Sequence, residues 1–386
     1  MSAVLSHGWQ AHLAAISPTI DRADATRDMQ PAVTLAANEV SRHAVRLVTI
    51  DPTTDHAAVH PFAALPSLLR AGDLVIVNDA ATLPGSLYGH TAAGEDFELR
   101  LAEPIAGTRL VGVAFGAGDW RTRTELRTPP PPLPLGSLVR IGLIVTARAS
   151  GRVVIIAKVR SLDGRRVTFD ADEILDGRGE PHEATTDAIW DAIYAAGLPV
   201  QYAHRAEQLP LWTVQTAYAA RPWAAEMPSA GRPLTWDVLL AMKRAGIAIA
   251  TLTHAAGLGS IGDAAADRVL PWPERYEIPE RTAASIVKTR AIGGRVIAIG
   301  TTVVRALEAS GGRAGQGIAT LRLDPSYRPE VVDGLVSGLH VPGESHYELL
   351  RAFASHARLS GALGVAARAG MSGHELGDAC LIVPRH

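Results

Sequence analysis

The sequence predicts an α/β protein: a barrel-like main unit of alternating strands and helices, interrupted by a small inserted antiparallel β-barrel. Three observations carry this. Aliphatic runs such as Leu74-Val75-Ile76-Val77 and Val296-Ile297-Ala298-Ile299 have the unbroken apolar texture of parallel strands covered on both faces. From about Gly85 to Phe169 the texture changes to short alternating segments separated by glycine-rich turns, with no helical stretch. After Ile189 the alternation of helix and strand returns. The main unit is therefore expected to be discontinuous, over residues 1–84 and 170–386, with the inserted barrel at 85–169.

In chain order, the first 40 or so residues are Ala-rich and weakly patterned, and are expected to pack loosely. Val45 to Ile50 alternates as a strand, and Phe62 to Arg70 has helical spacing that ends at Gly72. Leu74 to Val77 is a buried strand closed by Asn78-Asp79. Within the insert, Phe97 to Leu101, Leu110 to Phe115 and Val153 to Val159 alternate, and Pro129 to Pro132 forms a stiff connector. Thr235 is expected to cap an amphipathic helix that runs to Arg244 and stops at Gly246. Strand Ile247 to Thr253 follows, then a loop with Gly257, Gly259 and Gly262. Helix Glu280 to Ala291, strand Val296 to Ile299 and helix Val303 to Ala309 continue the alternation. Strand Val331 to Leu339, helix Tyr347 to Leu359 and strand Ala379 to Val383 complete it, and no internal repeat of fixed period is present.

At 386 residues the chain has room for two domains or one large domain with an insertion. Apolar residues at 47% and charged residues at 20% fit a soluble globular enzyme. No run approaches the roughly 18 uncharged apolar residues that cross a bilayer, so no membrane partner is expected. The N-terminus lacks a basic region followed by an apolar core, so no signal peptide is expected. The single cysteine, Cys380, excludes an internal disulfide, and a bacterial-type cytoplasm is the simplest compartment. Its apolar neighbours mark it as a core residue. A net charge of −2 excludes the global basic field of a non-specific nucleic-acid binder and leaves only a local basic face.

Polar groups collect where strands are predicted to end. The segment Gly300-Thr301-Thr302 joins a buried strand to a helix: Gly300 permits a tight turn, and either threonine can cap the helix. A helix N-terminus at the carboxyl end of a parallel strand presents N–H groups and a positive dipole end, a natural seat for a carboxylate or phosphate. Asn78 and Asp79 end one strand, His254 another and His340 a fourth, while Arg305 follows the Gly300 turn. Asp378 begins the last strand, which places it at the opposite end. His182-Glu183, His346-x-Glu348 and His374-Glu375 lack a second ligand pair, so no metal site is expected. There is no Walker A motif, no Gly-x-Gly-x-x-Gly opening a helix, and no Gly-x-Ser-x-Gly elbow. Residue by residue, the reading stops at a two-domain α/β protein that binds a partly anionic small molecule.

The motifs, taken together, resemble the S-adenosylmethionine:tRNA ribosyltransferase-isomerases of queuosine biosynthesis. Gly72-Asp73-Leu74-Val75-Ile76-Val77-Asn78-Asp79 with Leu83-Pro84 is similar to that family's first strand and Asn-Asp turn. Leu198-Pro199, Tyr202, Arg205 and Trp212-Thr213-Val214-Gln215-Thr216-Ala217-Tyr218-Ala219 resemble its Leu-Pro…Tyr-Gln-Thr-Val-Tyr-Ala segment. The run from Gly293 to Glu308 is the nearest match, and Leu339-His340-Val341-Pro342 with Ser345 and Phe353, then Gly377 to Ile382, complete the order. The resemblance implies S-adenosylmethionine as ribosyl donor, an aminomethyl-deazaguanine in tRNA as acceptor, release of adenine and methionine, and no metal. It implies donor or substrate contacts at Asn78, Asp79, Gln215, Tyr218, Gly300, Thr301, Thr302, Arg305, His340 and Ser345. The sulfonium acidifies the adjacent 5′ carbon, so a base is needed, with His254, His340 and Asp378 as the candidates.

This chain departs from the family pattern mainly where an RNA acceptor would sit. Asn78-Asp79-Ala80-Ala81-Thr82-Leu83-Pro84-Gly85-Ser86-Leu87 lacks two arginines of the pattern, and Pro228 to Thr235 lacks a histidine. The pattern Leu-His-Val-Gly-Ala-Gly becomes Leu252-Thr253-His254-Ala255-Ala256-Gly257, so the histidine is either lost or shifted by one position. Lys-Ser-Thr becomes Gly343-Glu344-Ser345-His346, trading a lysine for an acid, and Met371 to Leu376 lacks the aromatics. Two alternatives therefore stand beside the tRNA enzyme: a paralogue using S-adenosylmethionine with another acceptor or cleaving it alone, and an inactive binding protein.

Overall fold

The computed structural model describes residues 33–35, 41–142, 153–203, 207–268, 270–373 and 376–384. The loosely packed N-terminal stretch expected from the sequence (Val33, Thr34 and Leu35 apart), together with Arg205 and the His374-Glu375 pair, lies outside those residues.

The main sheet has nine strands, in the order Gly315–Ala319, Glu274–Ile278, Ala248–His254, Leu74–Asn78, Val296–Ile299, Gly334–Gly338, Ala379–Ile382, Arg46–Ile50 and Ala57–Pro61. Ala248–His254, Leu74–Asn78, Val296–Ile299 and Gly334–Gly338 run parallel at its centre, with Leu74 beside Ala248 and Val296, and Ile297 beside Gly334. Their continuous aliphatic sequences follow from burial on both faces. Alternation sends Ile76 and Ala298 into one apolar layer with Val304 and Leu307 of helix Thr301–Ser310. Val75, Val77, Ile297 and Ile299 enter the other layer, with Val238, Leu239 and Met242 of helix Trp236–Arg244. Truncating one of these fully buried residues, Ile76→Ala for example, costs about 2–5 kcal/mol in lost burial and cavity formation.

The inserted region closes into a six-stranded antiparallel barrel, as the alternating segments predict. Ser86–Thr91, Asp96–Leu101, Arg109–Gly116, Arg166–Leu175, Val154–Asp163 and Leu138–Ile141 pair in a ring, and Leu138–Ile141 returns to Ser86–Thr91. Closure leaves no unpaired edge, and Phe97, Leu99, Val139, Ile155, Val167 and Phe169 fill the interior. Helix Thr186–Ala196, capped by Thr185, covers one opening with Ile189 and Ile193.

A second buried feature of the barrel is charged. Glu98 accepts from Ser86 Oγ at 2.7 Å and Arg100 Nε at 2.9 Å, and its other oxygen pairs with Arg127. Burial alone would raise the Glu98 carboxyl, but the two guanidiniums and these hydrogen bonds hold it below its usual value.

Several elements differ from the sequence expectation for local reasons. The single helix expected over Tyr347 to Leu359 is two, Ser345–Leu350 and His356–Arg368, because Ser355 caps the second by accepting the Arg358 N–H. The strand expected from Val331 begins at Gly334, because the Val331 and Val332 N–H groups bind the Glu308 carboxylate at 3.1 and 3.0 Å. Thr235 stands at the N-cap of its helix without a side-chain bond. Phe62 to Arg70 forms a 3₁₀ turn, Phe62–Ala64, and a short helix, Leu65–Leu68.

Candidate active site

Asn78, His254, Ile299 and Gly338 end the four central parallel strands, so they arrive at one edge of the sheet. Asp378 lies on that edge too, not at the opposite end. Its strand runs antiparallel to Gly334–Gly338, pairing Ala379 with Gly338, and a reversed strand begins where its neighbour finishes. Arg46–Ile50 runs parallel to the last strand, with Leu47 beside Ala379, and this sets Arg46 next to Asp378.

At the Gly300 turn, the helix spans Thr301–Ser310 and Gly300 itself is the N-cap, at φ 94° and ψ 152°. That backbone conformation is strained for any residue with a Cβ, which explains the glycine. Neither threonine caps the helix: both lie inside its first turn, and no side chain caps this end. The first-turn N–H groups have no partner within the helix and point along the positive dipole end. Thr301 is buried and Thr302 half-buried.

Beside this turn, Ala230 stands 3.7 Å from where a Cβ on Gly300 would be. Ala230 lines a small cleft with Ser229, Arg232, Pro233, Gly338, Gly377, Asp378 and Ala379. A larger hollow opens near Thr49, Arg70, Arg295 and Pro384, by the amino ends of Leu74–Asn78 and Val296–Ile299. No predicted site residue lines it, and Arg295 there is tied to Asp73 at 2.7 Å, so the smaller cleft is the one beside the chemistry-bearing groups.

Tyr218 reaches Gly231, which lies between the cleft residues Ala230 and Arg232, and the Asp79 charge acts on its phenol. Asp79 Oδ1 accepts the Thr253 hydroxyl at 2.5 Å, and the Tyr218 hydroxyl donates to the Gly231 carbonyl at 3.4 Å. Burial, and then the Asp79 charge, push the Tyr218 phenol well above its usual range, so it stays a neutral donor. Thr253 occupies the face where the family pattern has histidine, and the period of two turns His254 to the opposite face.

His340 follows the fourth strand. Its Nδ1 lies 3.2 Å from Glu344 Oε2, and His346 stacks on its ring at 4.8 Å between centroids. Its Nε2 lies 3.6 Å from where a Cβ on Gly338 would be, which places the ring beside the cleft. Ser345 opens the next helix and is exposed.

The remaining candidates are held in the framework. Asn78 donates to the His254 carbonyl and accepts the His254 and Ala80 N–H groups. The Gln215 amide pairs with the Thr82 backbone at both ends, 2.9 Å each. Arg305 does not face the cleft: it pairs with Glu274 and donates to the Leu321, Trp272 and Ala319 carbonyls. His254 is fully buried, and Nε2 lies 3.4 Å from Glu274 Oε2, yet neither ring nitrogen makes a hydrogen bond. Burial, then the Arg305 charge, hold the His254 ring far below its usual range, so it is neutral. Burial raises Glu274, opposed by Arg305 and by the Gly257 N–H. Asp378 accepts the Arg46 N–H at 2.7 Å, Arg46 Nη2 at 2.8 Å and the Ser372 N–H at 2.9 Å, so its carboxylate is engaged. Glu308 clasps Tyr327 and residues 330–332 and is structural. Cys380 is a core residue, its thiol pushed up to about 12 by burial.

Sequence reasoning missed Glu274, Arg232 and the pairing of Glu344 with His340. Only the last had a signal, an acid four residues after a candidate histidine. Among the described residues no group of three or more His, Cys, Asp or Glu side chains is placed to hold a metal, and no helix is long and apolar enough to cross a membrane.

Comparison with known proteins adds the family. Residues 29–382 match the model of the family described as queuosine biosynthesis protein. The chain is similar to an S-adenosylmethionine:tRNA ribosyltransferase-isomerase of Gloeobacter violaceus, 32% identical over 342 residues, covering 84% of this chain and 85% of that one. It is 31% identical over 358 residues to the like-named protein of Anaeromyxobacter dehalogenans strain 2CP-1, covering 89% and 94%. The crystal structure of an S-adenosylmethionine tRNA ribosyltransferase from Thermotoga maritima aligns with a TM-score of 0.46 at 20% identity, over 90% of this chain and 96% of that one. With the family match running through the strand ends that build the cleft, the chain belongs to the queuosine biosynthesis protein family.

Proposed function

We propose that this protein transfers and isomerises the ribosyl group of S-adenosylmethionine onto the 7-aminomethyl-7-deazaguanine of a tRNA, releasing adenine and methionine, in the cytoplasm. The observation that carries this reading is the family match across residues 29–382 together with relatives that bear the name of this activity over most of their length.

The groups at the strand edge fit the donor. The turn Gly300-Thr301-Thr302 offers uncapped N–H groups to a carboxylate or ribose oxygen. Arg232, buried in the cleft wall, adds positive charge beside it. Tyr218 and Asp79 supply a neutral donor and an acceptor for sugar or base edges. His340 is the base we assign to the carbon next to the sulfonium, since His254 is fully buried and the Asp378 carboxylate, although it lines the cleft, is engaged by Arg46 and the Ser372 N–H.

The test uses labelled S-adenosylmethionine with the purified chain, with and without tRNA carrying the aminomethyl-deazaguanine. Adenine release that depends on that tRNA is the expected result. Saturable binding of S-adenosylmethionine without release would overturn the reading.

A further inference from the structure

We propose that Glu344 is a positioning residue for His340, and that the two form a carboxylate–imidazole pair which fixes one ring tautomer and presents Nε2 to the cleft as proton acceptor. The proposal rests on the ribosyl-transfer reading above.

An ionised carboxylate can only accept hydrogen bonds. The 3.2 Å contact between Glu344 Oε2 and His340 Nδ1 therefore puts the ring proton on Nδ1, and the lone pair is left on Nε2. The carboxylate is anchored, because the same oxygen also accepts the Val341 N–H at 3.2 Å. The ring plane is anchored as well, by His346 stacked at 18° to it. Nε2 lies on the Gly338 side of the ring, 3.6 Å from where a Cβ on that residue would stand, and Gly338 lines the cleft.

In the reaction, Nε2 takes the proton from the carbon beside the sulfonium. The C–H bond breaks, its electron pair stays on carbon, and an N–H bond forms on the imidazole. The resulting imidazolium charge is met by the Glu344 carboxylate, as an orienting acid does for a catalytic histidine elsewhere. The acid belongs to this chain: the segment that holds Lys-Ser-Thr in the family pattern reads Gly343-Glu344-Ser345-His346 here.

The experiment compares the full chain with Glu344→Ala and Glu344→Gln, by two-bond ¹H–¹⁵N spectra of the histidine rings and by adenine release, with His340→Gln for assignment. The wild-type ring is expected as the Nδ1–H tautomer, and Glu344→Ala moves it toward Nε2–H. The same variant lowers kcat about tenfold or more while the KM for S-adenosylmethionine stays within about twofold. Glu344→Gln, which accepts from Nδ1 without a charge, recovers the tautomer and part of kcat. An Nε2–H tautomer in the wild type, or wild-type kcat in Glu344→Ala, overturns the proposal. If the wild type releases no adenine, the ribosyl-transfer reading fails by itself, and the ring spectra alone uphold or overturn the pair.

Discussion

The side chain of Asn78 closes a ring of hydrogen bonds on the backbone of His254, donating to its carbonyl at 3.0 Å and accepting its N–H at 2.9 Å. These bonds tie the ends of two adjacent parallel strands inside the protein, where water cannot replace them. Asn78→Ala leaves the buried His254 and Ala80 N–H groups unpaired, while the His254 carbonyl keeps the Ala256 N–H, and is expected to lower stability by about 2–4 kcal/mol. Urea unfolding followed by circular dichroism measures this, and a change under about 0.5 kcal/mol would show that the clasp is dispensable.

His254 sets a pH dependence. Its folded-state pKa lies well below the ordinary 6.5, so the unfolded chain takes up a proton that the folded chain refuses. Stability therefore falls as pH drops below 6.5, by at most about 1.4 kcal/mol per pH unit, down to the depressed folded value. His254→Leu removes an unpaired buried ring and is expected to abolish this slope, while stability at pH 7.5 changes by less than about 1.5 kcal/mol. Denaturant titrations of both proteins at pH 7.5 and 5.5 decide it, and equal slopes would contradict the account.

Glu98 works with the opposite kind of group. Its lowered carboxyl pKa stabilises the fold in full above the unfolded value of 4.5, and that contribution disappears as pH falls through the folded value. Glu98→Gln leaves Arg100 and Arg127 buried with no counter-charge, and is expected to cost about 3–5 kcal/mol. Replacing the whole trio by apolar residues of similar volume is expected to cost much less. A thermal melt of Glu98→Gln within about 2 °C of wild type would refute this.

At the Gly300 turn, two substitutions separate backbone from ligand. Gly300→Ala forces a Cβ onto φ 94° and is expected to destabilise by about 1–3 kcal/mol. Thr301→Val removes a hydroxyl that caps nothing, so stability is expected to hold within about 0.5 kcal/mol. The same change is expected to weaken S-adenosylmethionine binding by about 1–3 kcal/mol, read by calorimetry. Unchanged affinity would remove Thr301 from the donor seat.

Much of this molecule was legible along the chain. Aliphatic runs located the parallel strands, the alternating segments located the barrel, and Gly300 announced a turn that only glycine adopts. These are local properties, set by periods of two and 3.6 and by φ/ψ limits. The ordered motifs likewise carried the family. Which groups are available for chemistry was decided elsewhere. Thr253 and His254 are adjacent in sequence, yet one meets Asp79 and the other is enclosed with Glu274 and Arg305. Asp378 moved to the active edge because its strand runs antiparallel to its neighbour, a pairing between residues 338 and 379 that no local pattern encodes. Local residue patterns specify the layers, the turn and the family. Which polar side chains face the cleft depends on partners and strand directions, and these come from contacts between distant segments.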